Sequence, residues 1–389
     1  MKFTYKDNTI SESNRLTYPN KENKLMKKQK ERNSSFELLR IILITLIVLH
    51  HIFINTNSLK KLNRTNYEKL IYWKYILLKI VSNYGKLGNN VFIMISGYFS
   101  VSKTKFNLYK FLYLIFEIYT YYYPSIYIGK KLSKKYQNLK FPNYLSYKIY
   151  FPILTSNGNW FIQIYLILLV FIPFINLGLL SLNKKDYKNL VIMIIIFYCV
   201  LNSIISLYNL NSSIFNTTPL IRLLLPYIIG GYIKMYGLYY KLIWEIVGII
   251  YFPLTILSEI IFDILAKKNK NFNFIKFHLY LTYNINSILC IIGSMGFINL
   301  FKNLSFYNKK INFIAASVLG IYLIHGNKNI SPFIYNIWFT TNNLNNKFFF
   351  IKYLIKAFLI IILSIVIDIV RRYTIGILID KLIKKIIRL

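Results

Sequence analysis

The sequence predicts an all-α, polytopic membrane protein with about ten transmembrane helices in one bundle. Three observations carry that prediction. Hydrophobic residues make up 55% of the 389-residue chain and charged residues only 16%, which is the composition of a membrane protein. The apolar residues come in long blocks from Phe36 onward, and a hydrocarbon core about 30 Å thick needs roughly 20 such residues of helix to cross it. Polar, lysine-rich segments separate the blocks, and none of them has room for a soluble domain.

Taken in order, residues 1–35 are polar and rich in lysine, and read as a cytoplasmic tail. The block 36–55 begins too far along the chain, and lacks the small-residue cleavage signature, to be a signal peptide. It is expected to stay as the first transmembrane helix. Apolar length and flanking polar loops place further helices at 85–101, 107–128, 160–177, 189–207, 220–237, 241–265, 277–300, 312–327 and 347–370. Gly and Asn interrupt the second and ninth of these. The domain expectation is therefore a tail over 1–35, a transmembrane domain over 36–370 and a basic amphipathic tail over 371–389.

The net charge of +36 does not point to nucleic acid, because that would need a soluble basic face with aromatics for base stacking. The lysines sit in loops between spans, where they retain loops in the cytoplasm and attract anionic lipid. The densest positions are the tail before Phe36, the turn with Lys103 and Lys105, the loop with Lys184, Lys185 and Lys188, and the stretch from Arg371 to Arg388. All are placed inside, with both termini cytoplasmic. The uncharged segment 208–219, "YNLNSSIFNTTP", falls outside, whereas Lys130, Lys131, Lys134 and Lys135 run against the rule. Cys199 and Cys290 lie in apolar blocks without metal-like spacing and read as packing residues.

The first block, "FELLRIILITLIVLHHIF", holds charge where burial is expensive. Arg40 and His51 stand eleven positions apart, which puts them within about 20° on the helix wheel and roughly 16 Å apart along the axis. They share a face but cannot touch. His50 falls about 80° from Arg40, and Glu37 lies one turn below it, about 60° away. Taken alone, Arg40 could also snorkel to the headgroups, and His51 could be an interhelical hydrogen bond.

The spacing from Arg40 to His51 resembles the first-helix motif of the integral-membrane acyltransferase family three. Later stretches resemble that family in the same order: "GNNVFIMISGYFS" (88–100), "NWFIQIYLILLVFIPFIN" (159–176), "LLPYIIGGYI" (224–233) and "SVLGIYLIH" (317–325). The likeness runs from 33 to about 370. Bacterial members O-acylate cell-surface carbohydrates, so the resemblance implies a membrane O-acyltransferase, taken as an O-acetyltransferase, in the bacterial cytoplasmic membrane. Its donor would be acyl-coenzyme A, here acetyl-CoA, with no metal; its partners would be membrane lipid and a glycan acceptor rather than nucleic acid. The doubled histidine leaves His50 and His51 both open as the family's residue, with spacing and phase favouring His51. An appended extracellular hydrolase-like domain, which some members carry, is not expected, so the resemblance implies a membrane-only member.

The chemistry suits these residue types. Attack of a sugar hydroxyl on a thioester needs a base, and neutral imidazole can take the proton at neutral pH; His51 is the candidate. Arg40 can hold a donor phosphate through two hydrogen bonds. Ser96 and Tyr98 can line the cavity or serve helix packing, and Trp160 can stack a sugar or anchor at the interface. His325 can add a polar group to the pocket or make a structural hydrogen bond. Arg222 and His278 read as boundary residues. A transporter or a polysaccharide-assembly subunit is the alternative class. Against transport, no paired half-length helices occur, and acidic residues in the later helices are confined to Glu117, Glu245, Glu259, Asp263 and Asp368.

Overall fold

In the computed structural model, residues 33–55, 69–136, 153, 160–201, 204, 219–269, 285, 287–338 and 348–388 are described. They form thirteen helices: α1 (Ser34–Asn55), α2 (Lys69–Ser100), α3 (Leu108–Lys135), α4 (Trp160–Leu180), α5 (Lys184–Ile195, prolonged by a π-helical turn at Ile196–Val200), α6 (Pro219–Tyr236), α7 (Lys241–Asn269), α8 (Ile288–Asn303), α9 (Lys309–Ala315), α10 (Val318–His325), α11 (Ser331–Trp338), α12 (Phe349–Tyr373) and α13 (Ile375–Arg388). Among the described residues there is no strand. Short polar side chains set several starts: Asn107, Asn183, Ser287 and Asn308 each accept a backbone N–H of the first turn that follows.

The helices differ from the sequence expectation in instructive ways. The second runs back to Lys69, and the third runs on to Lys135, so Lys130–Lys135 are its last turns rather than a loop. The expected helix at 312–327 is broken into α9 and α10 at Ala316 and Ser317, and α11 follows it. Among the described residues, four helices are long and apolar enough on their own to cross a bilayer: Ser34–Ile52, Trp160–Leu180, Lys241–Phe262 and Phe350–Tyr373. The last three leave most of their apolar windows uncovered by protein (39%, 22% and 33% buried), as lipid-facing helices do. Helices such as α6, with a continuous buried run over Leu225–Ile233, are enclosed by the others and carry Gly, Pro and Tyr that a lone span would not favour. The loop 208–218 and His278 lie outside the described residues.

Helix α1 is the seam between two apolar cores. Its Leu39 and Leu43 join side chains of α2, α4, α5, α6, α7 and α8, while Ile44, Ile47, Val48 and Ile52 join those of α3, α4, α10, α11 and α12. Its first residue is tied down as well: Ser34 N–H donates to the Phe306 carbonyl at 2.9 Å, and Ser34 Oγ donates to Asn312 Oδ1 at 2.8 Å. Against α1 lies α2, which α6 holds from behind by a reciprocal backbone contact. A Cβ on Gly97 would overlap the Tyr227 carbonyl oxygen, and one on Gly230 would overlap that of Met94. Small residues let the two backbones meet directly.

Candidate functional site

The face that Arg40 and His51 share looks into the space between the two cores. There a cavity of about 440 Å³ is lined by Arg40 and Ile47 of α1, Phe92, Ile93 and Ser96 of α2, Leu114 of α3, Phe161 and Tyr165 of α4, and Val318, Leu319 and Tyr322 of α10. Most of the lining is apolar, with Arg40, Asn89, Ser96 and two tyrosines as its polar groups. Arg40 does not stand alone at its end, because its Nη1 pairs with Glu37 Oε1 at 2.5 Å. Glu37 is buried behind it and outside the cavity lining.

At the other end, the rings of Phe161 and Tyr322 lie 5.6 Å apart, and the Tyr322 ring is 6.4 Å from that of His51. His51 is therefore one ring beyond the cavity lining. Its Nδ1 lies 2.9 Å from His325 Nε2, while His325 Nδ1 lies 2.6 Å from the Ile321 carbonyl oxygen. A carbonyl can only accept, so His325 Nδ1 carries a proton; in the neutral ring its Nε2 is then an acceptor. His51 Nδ1–H must be the donor to it. That assignment follows from hydrogen-bond logic, and it leaves the lone pair of His51 on Nε2, the nitrogen turned away from His325.

The remaining candidates separate. His50 is buried against α2, where a Cβ on Gly85 would overlap its side chain, and its ring lies 5.7 Å from that of His51. Ser96 lines the cavity, donates to the Phe92 carbonyl at 3.2 Å and lies 3.5 Å from the Tyr165 hydroxyl. Tyr98 lies outside the lining, packed against Phe36 at 5.2 Å beneath the Lys234 ammonium. Trp160 sits half-exposed at the start of α4, also outside it. Sequence reasoning passed over Phe161, Tyr165 and Tyr322. Tyr322 had a signal, since three residues put it on the face of α10 that His325 shares.

A second cavity of about 450 Å³ adjoins the first, with Tyr165 in both linings. Its walls include Lys103 and Lys105 from the turn between α2 and α3, and Lys110 from the first turn of α3. Asn176 fixes this turn by donating to the Ser100 and Lys103 carbonyls at 2.6 and 2.7 Å, and Asn176 itself accepts from the Tyr227 hydroxyl. Partial burial, and then the like charge of Lys110, hold the Lys103 ammonium below the ordinary lysine value, so the turn is short of anions. Among the described residues no three His, Cys, Asp or Glu side chains stand together as metal ligands would.

The profile of acyltransferase family 3, an acyltransferase domain, matches residues 33–369. The chain belongs to that family. It is accordingly an acyltransferase of the kind that transfers groups other than aminoacyl groups, and its apolar helices agree with a membrane setting. No protein of curated function and no solved structure matches this acyltransferase.

Proposed function

We propose that this acyltransferase moves an acyl group, in the first instance acetyl, from acyl-coenzyme A to a hydroxyl of an extracellular or lipid-linked carbohydrate across the bacterial cytoplasmic membrane. The observation that carries the reading is the directed histidine pair. His325 accepts from His51 Nδ1, so His51 Nε2 has the lone pair that can take the acceptor's hydroxyl proton as its oxygen attacks the thioester carbon. The C–S bond then breaks, and coenzyme A leaves as the thiol, its sulfur taking back the proton that His51 accepted. His51 and Arg40 are the residues assigned to catalysis, and His325 holds the base in its working tautomer.

The donor's shape supports the same reading. Coenzyme A has a phosphate-bearing nucleotide end and a long thin arm ending in the thioester. The lysine turn offers a cationic seat for the first, and the apolar cavity from Arg40 to Tyr322 offers a channel for the second. The roughly 16 Å between Arg40 and His51 is the span such an arm must bridge. Tyr322 stands between the cavity and His51, and its ring must turn aside for the thioester to arrive.

The decisive experiment follows thiol release from acetyl-CoA by the purified protein, with isolated cell-surface glycan as acceptor. Wild-type protein should release thiol and leave acetyl on the glycan, while His51→Ala should do neither. Equal thiol release by both proteins would overturn the proposal.

A further inference from the structure

Four charged side chains and a tyrosine meet in one buried network on the far side of α10. Arg371 of α12 places Nη2 2.7 Å from Glu117 Oε1 of α3 and 2.9 Å from Asp368 Oδ1. Its Nε donates to the Tyr121 hydroxyl at 2.9 Å, and that hydroxyl donates to Asp368 Oδ1. Arg372 Nε stands 3.0 Å from Asp368 Oδ2, off the line of a hydrogen bond but in charge contact. Its Nη2 donates to Ser317 Oγ at 3.0 Å. Two carboxylates face two guanidinium groups, so the cluster is formally neutral, as charges at membrane depth must be to persist. None of the four charged groups lines the cavity, and acyl transfer as described above does not use them.

What the network grips is the start of the histidine helix. Ser317 is the residue before α10 and makes no side-chain cap of its own; Arg372 holds its hydroxyl instead. One turn on, Gly320 presses bare backbone against the cluster, where a Cβ would lie 2.7 Å from the Tyr121 hydroxyl and 2.8 Å from Asp368 Cβ. Gly320 is on the face opposite Val318, Leu319 and Tyr322, which line the cavity. At the other end, the Tyr335 hydroxyl donates to the His325 carbonyl at 2.7 Å. A helix of eight residues is about 12 Å long, so a shift or rotation at Ser317 passes undiminished to the His325 ring. Apolar side chains would fill this space at less cost in desolvation. Directional contacts set an angle, which apolar ones do not.

We infer that Glu117, Asp368, Arg371 and Arg372 are positioning residues which, through Ser317 and Gly320, set the placement of α10 and thereby the hydrogen bond between His51 and His325. The inference rests on reading that pair as the catalytic base and its support. Two mild variants test it: Ser317→Ala deletes a single contact, and Arg372→Lys keeps the charge beside Asp368 but cannot also reach Ser317. Lys384→Gln, at an exposed position on α13, is the control. The chain has four histidines, so their ring nitrogens can be followed by ¹⁵N labelling of the whole protein alongside kcat and donor KM. The ring resonances of His51 and His325 should move in both variants and not in the control. Meanwhile kcat should fall roughly tenfold with donor KM little changed, as for a misplaced catalytic group. Moved resonances in a protein whose wild type transfers no acyl group would support the positioning and overturn the proposed reaction. Active protein whose histidine resonances stay at wild-type positions in both variants, even with lowered thermal stability, would overturn the positioning and leave the reaction standing.

Discussion

Replacing His325 with phenylalanine removes one hydrogen-bond acceptor while keeping a flat ring in its place. In the native protein the ring is fully buried, and its Nε2 lies 2.9 Å from His51 Nδ1. Without that acceptor, His51 has two choices. Either Nδ1–H stays buried and unsatisfied, at a cost of roughly 1–3 kcal/mol, or the proton moves to Nε2 and removes the lone pair that attacks the hydroxyl proton. Both penalties fall on the reactive form of the enzyme. At about 1.4 kcal/mol per factor of ten, kcat for thiol release at saturating acetyl-CoA should drop roughly fivefold to a hundredfold. His325→Gln, whose amide oxygen can accept from His51 Nδ1, should recover most of the loss. Wild-type kcat in His325→Phe, or no recovery in His325→Gln, would refute the reasoning.

Arg40→Lys should keep the charge beside Glu37 yet lose the fork, lowering kcat/KM for the donor on the order of tenfold to a hundredfold and acceptor dependence much less; steady-state kinetics in each substrate check this. His50→Ala should retain a substantial fraction of transfer, since His50 faces α2 near Gly85, whereas His51→Ala should retain none in the same thiol-release assay. Gly230→Ala should destabilise the protein by about 1–3 kcal/mol or block its assembly, because the added methyl meets the Met94 carbonyl oxygen; thermal unfolding in detergent reads it. Burial and Lys110 hold Lys103 below its ordinary value of 10.5, so its charge is lost on raising the pH before that value is reached. Donor KM should then climb with pH in wild type, and start high and flat in Lys103→Gln.

The all-helical fold and the Arg40–His51 face were legible in the sequence because each follows from local periodicity. Phe36 to Phe53 states its own phase, and no partner is needed to read it. The His51–His325 bond was not legible, since 274 residues separate its members and no pattern in either segment names the other. Hydropathy also joined α9 and α10 into one helix. The break falls at Ala316 and Ser317, both compatible with a helix, and it is Arg372, from a distant helix, that holds the Ser317 hydroxyl there. Glu117 was noticed only as a scarce acid, for the same reason: its partner Arg371 lies across an interface, whereas the pairing of Asp368 with Arg371 and Arg372 three and four residues on was open to local reading. Buried helices such as α6 need not satisfy the hydropathy that lipid demands, so hydropathy alone does not count the spans.

The short helices α9, α10 and α11 bear on the order in which the protein is made. A helix of eight residues covers about 12 Å of a hydrocarbon layer about 30 Å thick, so none of the three can enter a bilayer unaided. Their breaks expose backbone that neighbouring groups must satisfy, as the Tyr335 hydroxyl does by donating to the His325 carbonyl at the end of α10. Synthesis runs from the N-terminus, so α1 and α3 are already in the membrane when this segment emerges, but Asp368, Arg371 and Arg372 of α12 are not. The piece bearing His325 has to wait at the surface, or loosely within the unfinished bundle, until α12 arrives and draws it in. A nascent chain interrupted before α12 holds His51 in its helix and has no settled partner for it, so on the proposed mechanism no acyl transfer is expected until that long helix is inserted.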